Sequence, residues 1–437
     1  MSNFISMRSV TRAKALRART LLVLLLVSSV ILPAPHFTGV IASLYVFYAF
    51  STNAHDNGEA LKLAMPFILL GLLGTLMSGD NDEYLIFKDA WYVAKIAICL
   101  SIGMLLGQRE KDFSDVVRFA TLIGITGAIL MIAIIVSQQF FIIPWLSETP
   151  KLPLICLLAV PVVFDNIKFR NGIYKVIQIF FLIVILLSIL FSDSRMTILA
   201  TLILIGGWAG AFSSFRITLI NLSVFALVAS AVWGLLPEYQ GGDLTAFSKM
   251  QRSIEEILPT DGFDEASRLL NWRGFEAFNA QLMFEQGSIW RKIFGFGLGA
   301  EVNLGISVEM SEEMVYQYLP TLHNGFYFVL IKFGIIGVVM YFSAIISWFR
   351  WSKIPRQLGS ALSVRILRGL VIVVIASTLV ITGLFNKNEL HGVTIFIAYT
   401  IGYISVYLRN EAFTRMAVLE VTPKGQFGSP RGDPTHA

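Results

Sequence analysis

Long apolar runs recur along almost the whole chain, and they limit its possible folds more than any other feature. A membrane-spanning helix needs about 20 mostly apolar residues, and runs of about this length occur roughly twelve times. They lie near residues 18–35, 37–52, 61–78, 86–107, 115–137, 150–166, 173–192, 195–212, 216–236, 322–350, 364–385 and 391–408. We therefore predict an all-α polytopic membrane protein with one large loop between spans 9 and 10.

The composition agrees with this class. Of the 437 residues, 55% are hydrophobic and 14% are charged, whereas soluble domains average about 45–50% apolar and about 25% charged residues. So little polar surface excludes a soluble multidomain enzyme. The two cysteines, Cys99 and Cys156, both fall inside apolar runs, which excludes a disulfide framework and a zinc site of the Cys-x-x-Cys type.

The distribution of basic residues predicts the orientation in the membrane. If the N-terminus is cytoplasmic, the cytoplasmic segments hold 22 of the 34 Lys and Arg residues, as the positive-inside rule requires. The net charge of +5 therefore reflects topology rather than nucleic-acid binding. An even number of spans returns the C-terminus to the cytoplasm. No small-residue cleavage site follows the basic N-terminal segment, so we expect an uncleaved first helix.

The predicted organisation has four parts. Residues 1–236 hold spans 1–9, residues 237–321 form the large loop, residues 322–408 hold spans 10–12, and residues 409–437 form a disordered cytoplasmic tail. The loop carries 13 acidic and 6 basic residues. Phe275, Phe278 and Leu282 recur at helical spacing, so we expect two or three short helices packed on the membrane surface.

Arg195 is the first candidate for chemistry, because burying a charge in a membrane is costly. It follows Ser194 in a hairpin so short that the two neighbouring spans almost touch. The charge is therefore held at the non-cytoplasmic edge of the bundle. The alternative is an ion pair with Asp193 and a helix cap by Ser194.

The large loop supplies a second candidate group. Arg268 and Trp272 are four residues apart and share one helix face, whereas Arg273 is displaced from it. In a loop of net negative charge, an arginine also has acidic partners close by in sequence, such as Glu265 and Glu276.

His323 and Asn324 open the tenth span, and Gly334 and Gly337 follow within it. A histidine at the membrane edge is a base that titrates near neutral pH and can take a proton from a substrate. The alternative is an interfacial histidine bonded to a backbone carbonyl.

Lysines within the spans are candidates for binding an anion. Lys88 and Lys95 are seven residues apart and share a face of the fourth span, and Lys332 lies on the tenth. Each can also extend to the interface, and the first two can pair with Asp89. Gly295, Gly297 and Gly299 do not lie in a predicted βαβ unit. We therefore interpret them as a sharp turn rather than a dinucleotide-binding loop.

The order and spacing of these motifs resemble the O-antigen ligase/polymerase family of bacterial inner-membrane glycosyltransferases. The resemblance rests on Ser194-Arg195, on Arg268 followed by Trp272, on the three glycines, and on His323-Asn324 with the glycines of the tenth span. It is specific over about residues 190–340. One departure is Lys332, which stands where the family often has an acid. The resemblance implies that Arg195, Arg268 and His323 carry the reaction. We predict that substrate is bound by Arg273, Asn324, Lys88, Lys95 and Trp272.

The resemblance also implies a substrate pair and a reaction. The donor is a glycan on undecaprenyl diphosphate, and the acceptor attacks its anomeric carbon on the periplasmic face, with no metal or cofactor. We favour the ligase, whose acceptor is lipid A–core oligosaccharide, because the chain has one large loop and its loop arginines lack a glycine eleven residues on. An O-antigen polymerase and a protein O-oligosaccharyltransferase are alternatives. A secondary transporter or flippase is the alternative of another class.

Overall fold

The fold was obtained as a computed structural model, which describes the chain in segments. These segments are residues 54–109, 113, 121–122, 124–130, 132–133, 152–169, 171–191, 195–214, 216–224, 227, 272–311, 314–350, 362–385 and 390–421. The first two predicted spans, Arg268 and residues 422–437 lie outside the described residues.

The described part of the chain is mostly helical. Its helices are α1 (Ala54–Leu76), α2 (Glu83–Arg109), α3 (Leu152–Phe169), α4 (Ile173–Phe191), α5 (Arg195–Ala209), α6 (Trp272–Gln286), α7 (Ile289–Phe294), α8 (Gly325–Arg350), α9 (Leu362–Val380) and α10 (His391–Val421). A short 3-10 helix, Gly383–Phe385, follows α9. Strands β1 (Val302–Ser311) and β2 (Met314–Leu319) form an antiparallel hairpin.

Five helices are long and apolar enough to cross a membrane, among the residues described. They are Gly58–Leu76, Glu83–Arg109, Gly325–Arg350, Leu362–Val380 and His391–Leu408. These five confirm predicted spans 3, 4, 10, 11 and 12 and mark the chain as a helical membrane protein. The shorter helices α4 and α5 are also apolar, whereas the total of about twelve spans is not confirmed.

Helices α2 and α10 pack closely because glycines line their contact. A Cβ on Gly103 would lie 2.2 Å from the carbonyl oxygen of Ile395, and one on Gly107 would lie 2.0 Å from that of Tyr399. Small residues of this kind let the backbones of membrane helices approach each other. Helix α2 also packs against α1.

Two features differ from the sequence prediction. The large loop contains a β-hairpin as well as helices α6 and α7, whereas short helices alone were expected. Val302, Leu304 and Leu319 are buried while Asn303 and Tyr318 are exposed, which is the alternation of a half-buried strand. Helix α10 continues to Val421, so the tail predicted to be disordered from residue 409 is helical over its first part. Residues 409–421 are rich in good helix formers such as Ala, Met, Leu and Glu.

The segment that follows α7 is hydrogen-bonded to α8 beside a kink in that helix. Gly334 has φ 65° and ψ −164°, which is not helical. The carbonyl oxygens of Ile331 and Lys332, one turn earlier, accept hydrogen bonds from the N–H groups of Phe296 (2.8 Å) and Gly297 (3.1 Å). A segment of the large loop is thereby fixed to a membrane-spanning helix.

We call residues 295–299 the glycine strap. Its three glycines all have positive φ, in agreement with the predicted turn, and the packing adds a second requirement. A Cβ on Gly295 would lie 2.5 Å from the carbonyl oxygen of Lys332, and one on Gly297 would lie 2.5 Å from that of Met77. Larger residues are therefore excluded by both conformation and space.

A buried ion pair joins the strap to two helices. The Lys332 ammonium of α8 lies 2.6 Å from the Asp89 carboxylate of α2, and both side chains are almost fully buried. Asp89 also accepts a hydrogen bond from the N–H of Gly299 (2.8 Å), and Lys332 donates to the carbonyl of Ala300. These bonds offset the cost of removing two charges from water.

Candidate active site

The candidate active site is centred on a histidine bonded to a buried carboxylate. The Nδ1 atom of His323 lies 2.8 Å from one carboxylate oxygen of Glu276 and 3.0 Å from the other. The His323 side chain is 53% exposed, whereas that of Glu276 is 2% exposed. One nitrogen of the imidazole is therefore bonded to a carboxylate that the protein holds in place, and about half of the side chain is exposed.

Helix α6 positions the carboxylate. Gly274, Phe275, Ala277 and Ala280 are buried on this helix with Glu276, and α6 packs against β1 and α8. The carboxylate also accepts a hydrogen bond of 3.0 Å from the backbone N–H of His323. Such bonds offset the cost of burying a charged group and hold the His323 backbone as well as its ring.

The turn that carries His323 is held by the end of α9. Its neighbours in sequence make three hydrogen bonds there: Thr382 donates to the carbonyl of Leu322 (3.2 Å), the Asn324 amide to that of Leu379 (3.0 Å), and the N–H of Gly325 to that of Ile381 (2.9 Å). The histidine is therefore placed by contacts from both α6 and α9 rather than by a mobile loop.

The bond to Glu276 favours one protonation state of the His323 ring. When Nδ1 carries a proton and donates it to the carboxylate, Nε2 of the neutral ring has a lone pair that accepts a proton. The carboxylate also stabilises the imidazolium that forms when Nε2 is protonated. This arrangement suits a general base that removes a proton from a hydroxyl group.

Asn324 caps helix α8. Its side-chain oxygen accepts hydrogen bonds from the N–H groups of Phe326 (2.9 Å) and Tyr327 (3.3 Å), as an N-cap residue does, and its amide nitrogen donates to Leu379. Both ends of this buried side chain are thus bonded within the protein. Asn324 therefore links the start of α8 to the end of α9 beside His323, and its role in binding substrate stays a prediction.

Arg273 and Trp272 open the helix that carries Glu276. The Arg273 guanidinium approaches the carbonyl oxygen of Val380, at the end of α9, at 3.5 Å. Trp272 is half-buried, and its ring centroid lies 5.8 Å from that of Phe275. Both residues lie within about one helical turn of Glu276, so the structure brings this part of the predicted site close to the His323 turn.

The other predicted residues are placed less directly. The backbone of Arg195 begins α5, and Arg268 lies outside the described residues. On α2, Lys88 is half-buried and Lys95 is buried, with its ammonium 4.5 Å from the centroid of the Tyr92 ring. Asp89, a predicted partner for these lysines, is paired with Lys332.

Glu276 is a candidate functional residue that the sequence interpretation did not identify, since it was considered only as a partner for a loop arginine. A local signal was present. Glu276 shares a helix face with Ala280 and Met283, so a lone carboxylate lies on the side of α6 that packs inward. A carboxylate on a buried helix face needs a hydrogen-bonding partner. That partner is His323, which lies 47 residues away in the sequence.

These features define a helical membrane protein with a histidine–carboxylate pair held where the large loop meets the spans. A scan of the chain against known protein families finds no match. A search of the curated proteins finds no match either.

Proposed function

We propose that this protein is an O-antigen ligase. It transfers O-antigen polysaccharide from undecaprenyl diphosphate to a sugar of lipid A–core oligosaccharide, at the periplasmic face of the bacterial inner membrane. The observation that carries the proposal is the bond between buried Glu276 and Nδ1 of exposed His323. The histidine that the sequence resemblance marks as catalytic is thus also the one that has the geometry of a base.

The proposed step is a substitution at the anomeric carbon of the donor. The acceptor hydroxyl oxygen forms a bond to that carbon as the bond to the diphosphate oxygen breaks. The hydroxyl proton passes to Nε2 of His323, and undecaprenyl diphosphate leaves with the bonding electron pair. Glu276 stabilises the resulting imidazolium. Such a base contributes about 10²- to 10⁴-fold to a rate.

Arginines neutralise the leaving group in this proposal. The diphosphate gains negative charge as the glycosidic bond breaks, and a guanidinium donates paired hydrogen bonds to phosphate oxygens. Arg195 and Arg268 take this role by the sequence resemblance. Arg273 supports donor binding, because its guanidinium lies at the end of α9 that also holds the His323 turn.

Two related functions and one unrelated function compete with this proposal. A polymerase or a protein O-oligosaccharyltransferase would use the same donor chemistry with another acceptor. A flippase or secondary transporter would carry its polar residues along a pathway through the membrane midplane. The His323–Glu276 pair favours an enzyme, because a base fixed by a buried carboxylate has a defined use in group transfer.

Complementation tests the proposed function. A host lacking its own ligase would express the wild type or His323→Ala, with laddered lipopolysaccharide and the lipid-linked O-antigen pool as readouts. We expect the wild type to restore the ladder and His323→Ala to lose it while full-length lipid-linked O-antigen accumulates. A ladder reduced to single repeat units would indicate a polymerase, and unchanged laddering would exclude the role of His323.

The control is His391→Ala, which replaces another histidine at the start of a candidate span. Both variants would be checked for equal amounts in the membrane by immunoblot. We expect His391→Ala to keep the ladder. If both variants lose it at normal abundance, the loss is not specific to His323 and the assigned role fails.

A further inference from the structure

A polar cleft lies in the large loop beside the helix that carries Glu276. It has a volume of about 570 Å³, within the about 300–1,000 Å³ range of small-molecule sites. It is an open cleft lined by residues of α6, α7, the glycine strap and β1 and of the segments that join them. Its polar lining residues are Asn279, Gln286, Ser288, Arg291, Glu301 and Asn303.

The floor of the cleft is fixed to the membrane-spanning part of the protein. The ring of Phe296 forms part of the lining. Its backbone N–H donates to Ile331 of α8, and its carbonyl accepts from the side-chain amide of Asn81 (3.1 Å). The Arg291 guanidinium lies 5.1 Å from the ring centroid. A Cβ on Gly287 would lie 2.8 Å from this ring, so the floor is closely packed and already formed.

The lining chemistry suits a ligand with many hydroxyl groups. The Asn279 amide nitrogen donates to the carbonyl of Phe275 (2.9 Å), so its oxygen is the atom available to accept from a ligand. The Asn303 side-chain oxygen accepts from the N–H of Gly305 (2.8 Å), so its amide nitrogen is available to donate. A sugar hydroxyl both donates and accepts, and it can satisfy either atom.

The charges of the lining favour a sugar over a phosphate. Arg291 and Glu301 carry opposite charges, so the cleft has no excess of positive charge to hold an anion. The carboxylate accepts hydrogen bonds from hydroxyl groups, and Met283 and Phe296 offer apolar surface for the C–H face of a sugar ring. Polar side chains beside such an apolar surface can fix the orientation of a neutral ligand.

The cleft also lies in line with the candidate active site. Glu276 is followed on α6 by Asn279 three residues later, by Met283 seven later and by Gln286 ten later. All four residues therefore share one face of the helix. At a rise of about 1.5 Å per residue, the cleft begins about 5 Å along the helix from Glu276 and extends to about 15 Å. A glycan chain reaching His323 therefore has room to continue into it.

We infer that this cleft is a carbohydrate subsite, which binds a sugar unit of one of the two glycans brought together at His323. The inference rests on the proposed function, because that function supplies the glycan. The same chemistry fits a sugar of the acceptor core oligosaccharide and a sugar of the donor O-antigen.

Direct binding tests the subsite. The full chain in lipid nanodiscs would be titrated separately with core oligosaccharide and with O-antigen polysaccharide, each released from lipopolysaccharide, and followed by calorimetry. We expect one of the two to bind. Asn279→Leu and Glu301→Gln should each weaken that binding by about tenfold, or about 1.4 kcal/mol, which is within the range for the loss of one hydrogen bond. The probe that binds identifies the source of the sugar.

Three further variants serve as comparisons in the binding experiment. Met283→Trp should block the cleft and weaken binding more than either polar variant, whereas Glu285→Gln, an exposed change on the same helix, should leave binding unchanged. His323→Ala should abolish transfer but keep glycan binding. Absence of binding by the wild type, or equal binding by the wild type and all cleft variants of normal thermal stability, would overturn the inference. Glycan binding without transfer by the wild type would instead contradict the proposed ligase function alone.

Discussion

Two acid–base pairs lie where the large loop meets the spans, and they differ in exposure. In the Asp89–Lys332 pair both side chains are almost fully buried, at 2% and 3% exposure. In the His323–Glu276 pair the carboxylate is equally buried, but the imidazole is 53% exposed. A pair closed to solvent fixes the glycine strap to α2 and α8. A pair with one exposed member can be reached from solvent, so exposure separates the structural pair from the pair that we propose to be catalytic.

The largest expected effect on chemistry is that of His323→Ala. Removing the base should lower the transfer rate by about 10²- to 10⁴-fold. Because the ring is half-exposed and the turn is held by backbone bonds to α9, thermal stability should change little. The rate would be measured with purified protein, lipid-linked O-antigen and lipid A–core. A rate within a few-fold of wild type would show that the two pairs do not differ in the proposed way.

Lys332→Ala should chiefly lower stability, whereas His323→Ala should chiefly lower the transfer rate. It leaves the Asp89 carboxylate buried without its cation, which costs about 3–5 kcal/mol, so the variant should accumulate poorly and melt early. The double variant Lys332→Met with Asp89→Asn removes both charges and should recover much of the loss. Thermal melting in detergent measures this. Equal destabilisation by the single and double variants would contradict a paired, structural role.

Glu276→Gln should reduce catalysis without removing the base. The amide keeps the shape of the carboxylate but loses the charge that stabilises the imidazolium, so we expect a rate loss of about 10²-fold, at the lower end for general-base catalysis. Glu285→Gln, an exposed change on the same helix, is the matched control and should keep the wild-type rate. Equal rates for both variants in the transfer assay would remove Glu276 from the account.

Asn324→Ala should have the smallest effect. It removes the N-cap of α8 and the bond to Leu379, and losing a cap costs about 0.5–2 kcal/mol. We expect a modestly lower melting temperature and a rate loss well below that of Glu276→Gln, since His323 keeps its bond to Glu276. Asn324→Asp keeps the capping oxygen but loses the N–H donor to Leu379, so partial recovery of the melting temperature in this variant would support the capping role. A rate loss as large as that of His323→Ala would instead indicate direct contact with substrate.

The sequence predicts features that depend on local patterns. Apolar runs place five helices that the structure contains, because a span is recognisable from about 20 consecutive residues. His323 stands out because it begins a span. The three strap glycines stand out as a turn signal, and all of them have positive φ.

Contacts between residues that lie far apart in the sequence cannot be predicted from such local patterns. The bond between Glu276 and His323 joins residues 47 positions apart, and no local periodicity reports such a contact. Lys332 shows the same limit. Its pairing with Asp89 depends on how α8 packs near α2, so the sequence interpretation left open whether it binds an anion or a protein group.

The hairpin was missed for a different reason. The alternation of Val302, Leu304 and Ile306 with polar or small residues is a strand signal, but it is short and lies in a loop for which a helical face had already been recognised. The helical extension of α10 was missed because a polar composition was interpreted as disorder, although Ala, Met and Leu recur up to Val421.

A double-mutant cycle on the transfer rate tests the central claim most directly. If Glu276 acts by positioning and stabilising His323, its contribution disappears once the ring is absent. Glu276→Gln should then lower the rate by about 10²-fold in the wild type and have no further effect in His323→Ala. Equal losses in both backgrounds would show that the two residues act independently, and the account of a histidine base held by a buried carboxylate would be wrong.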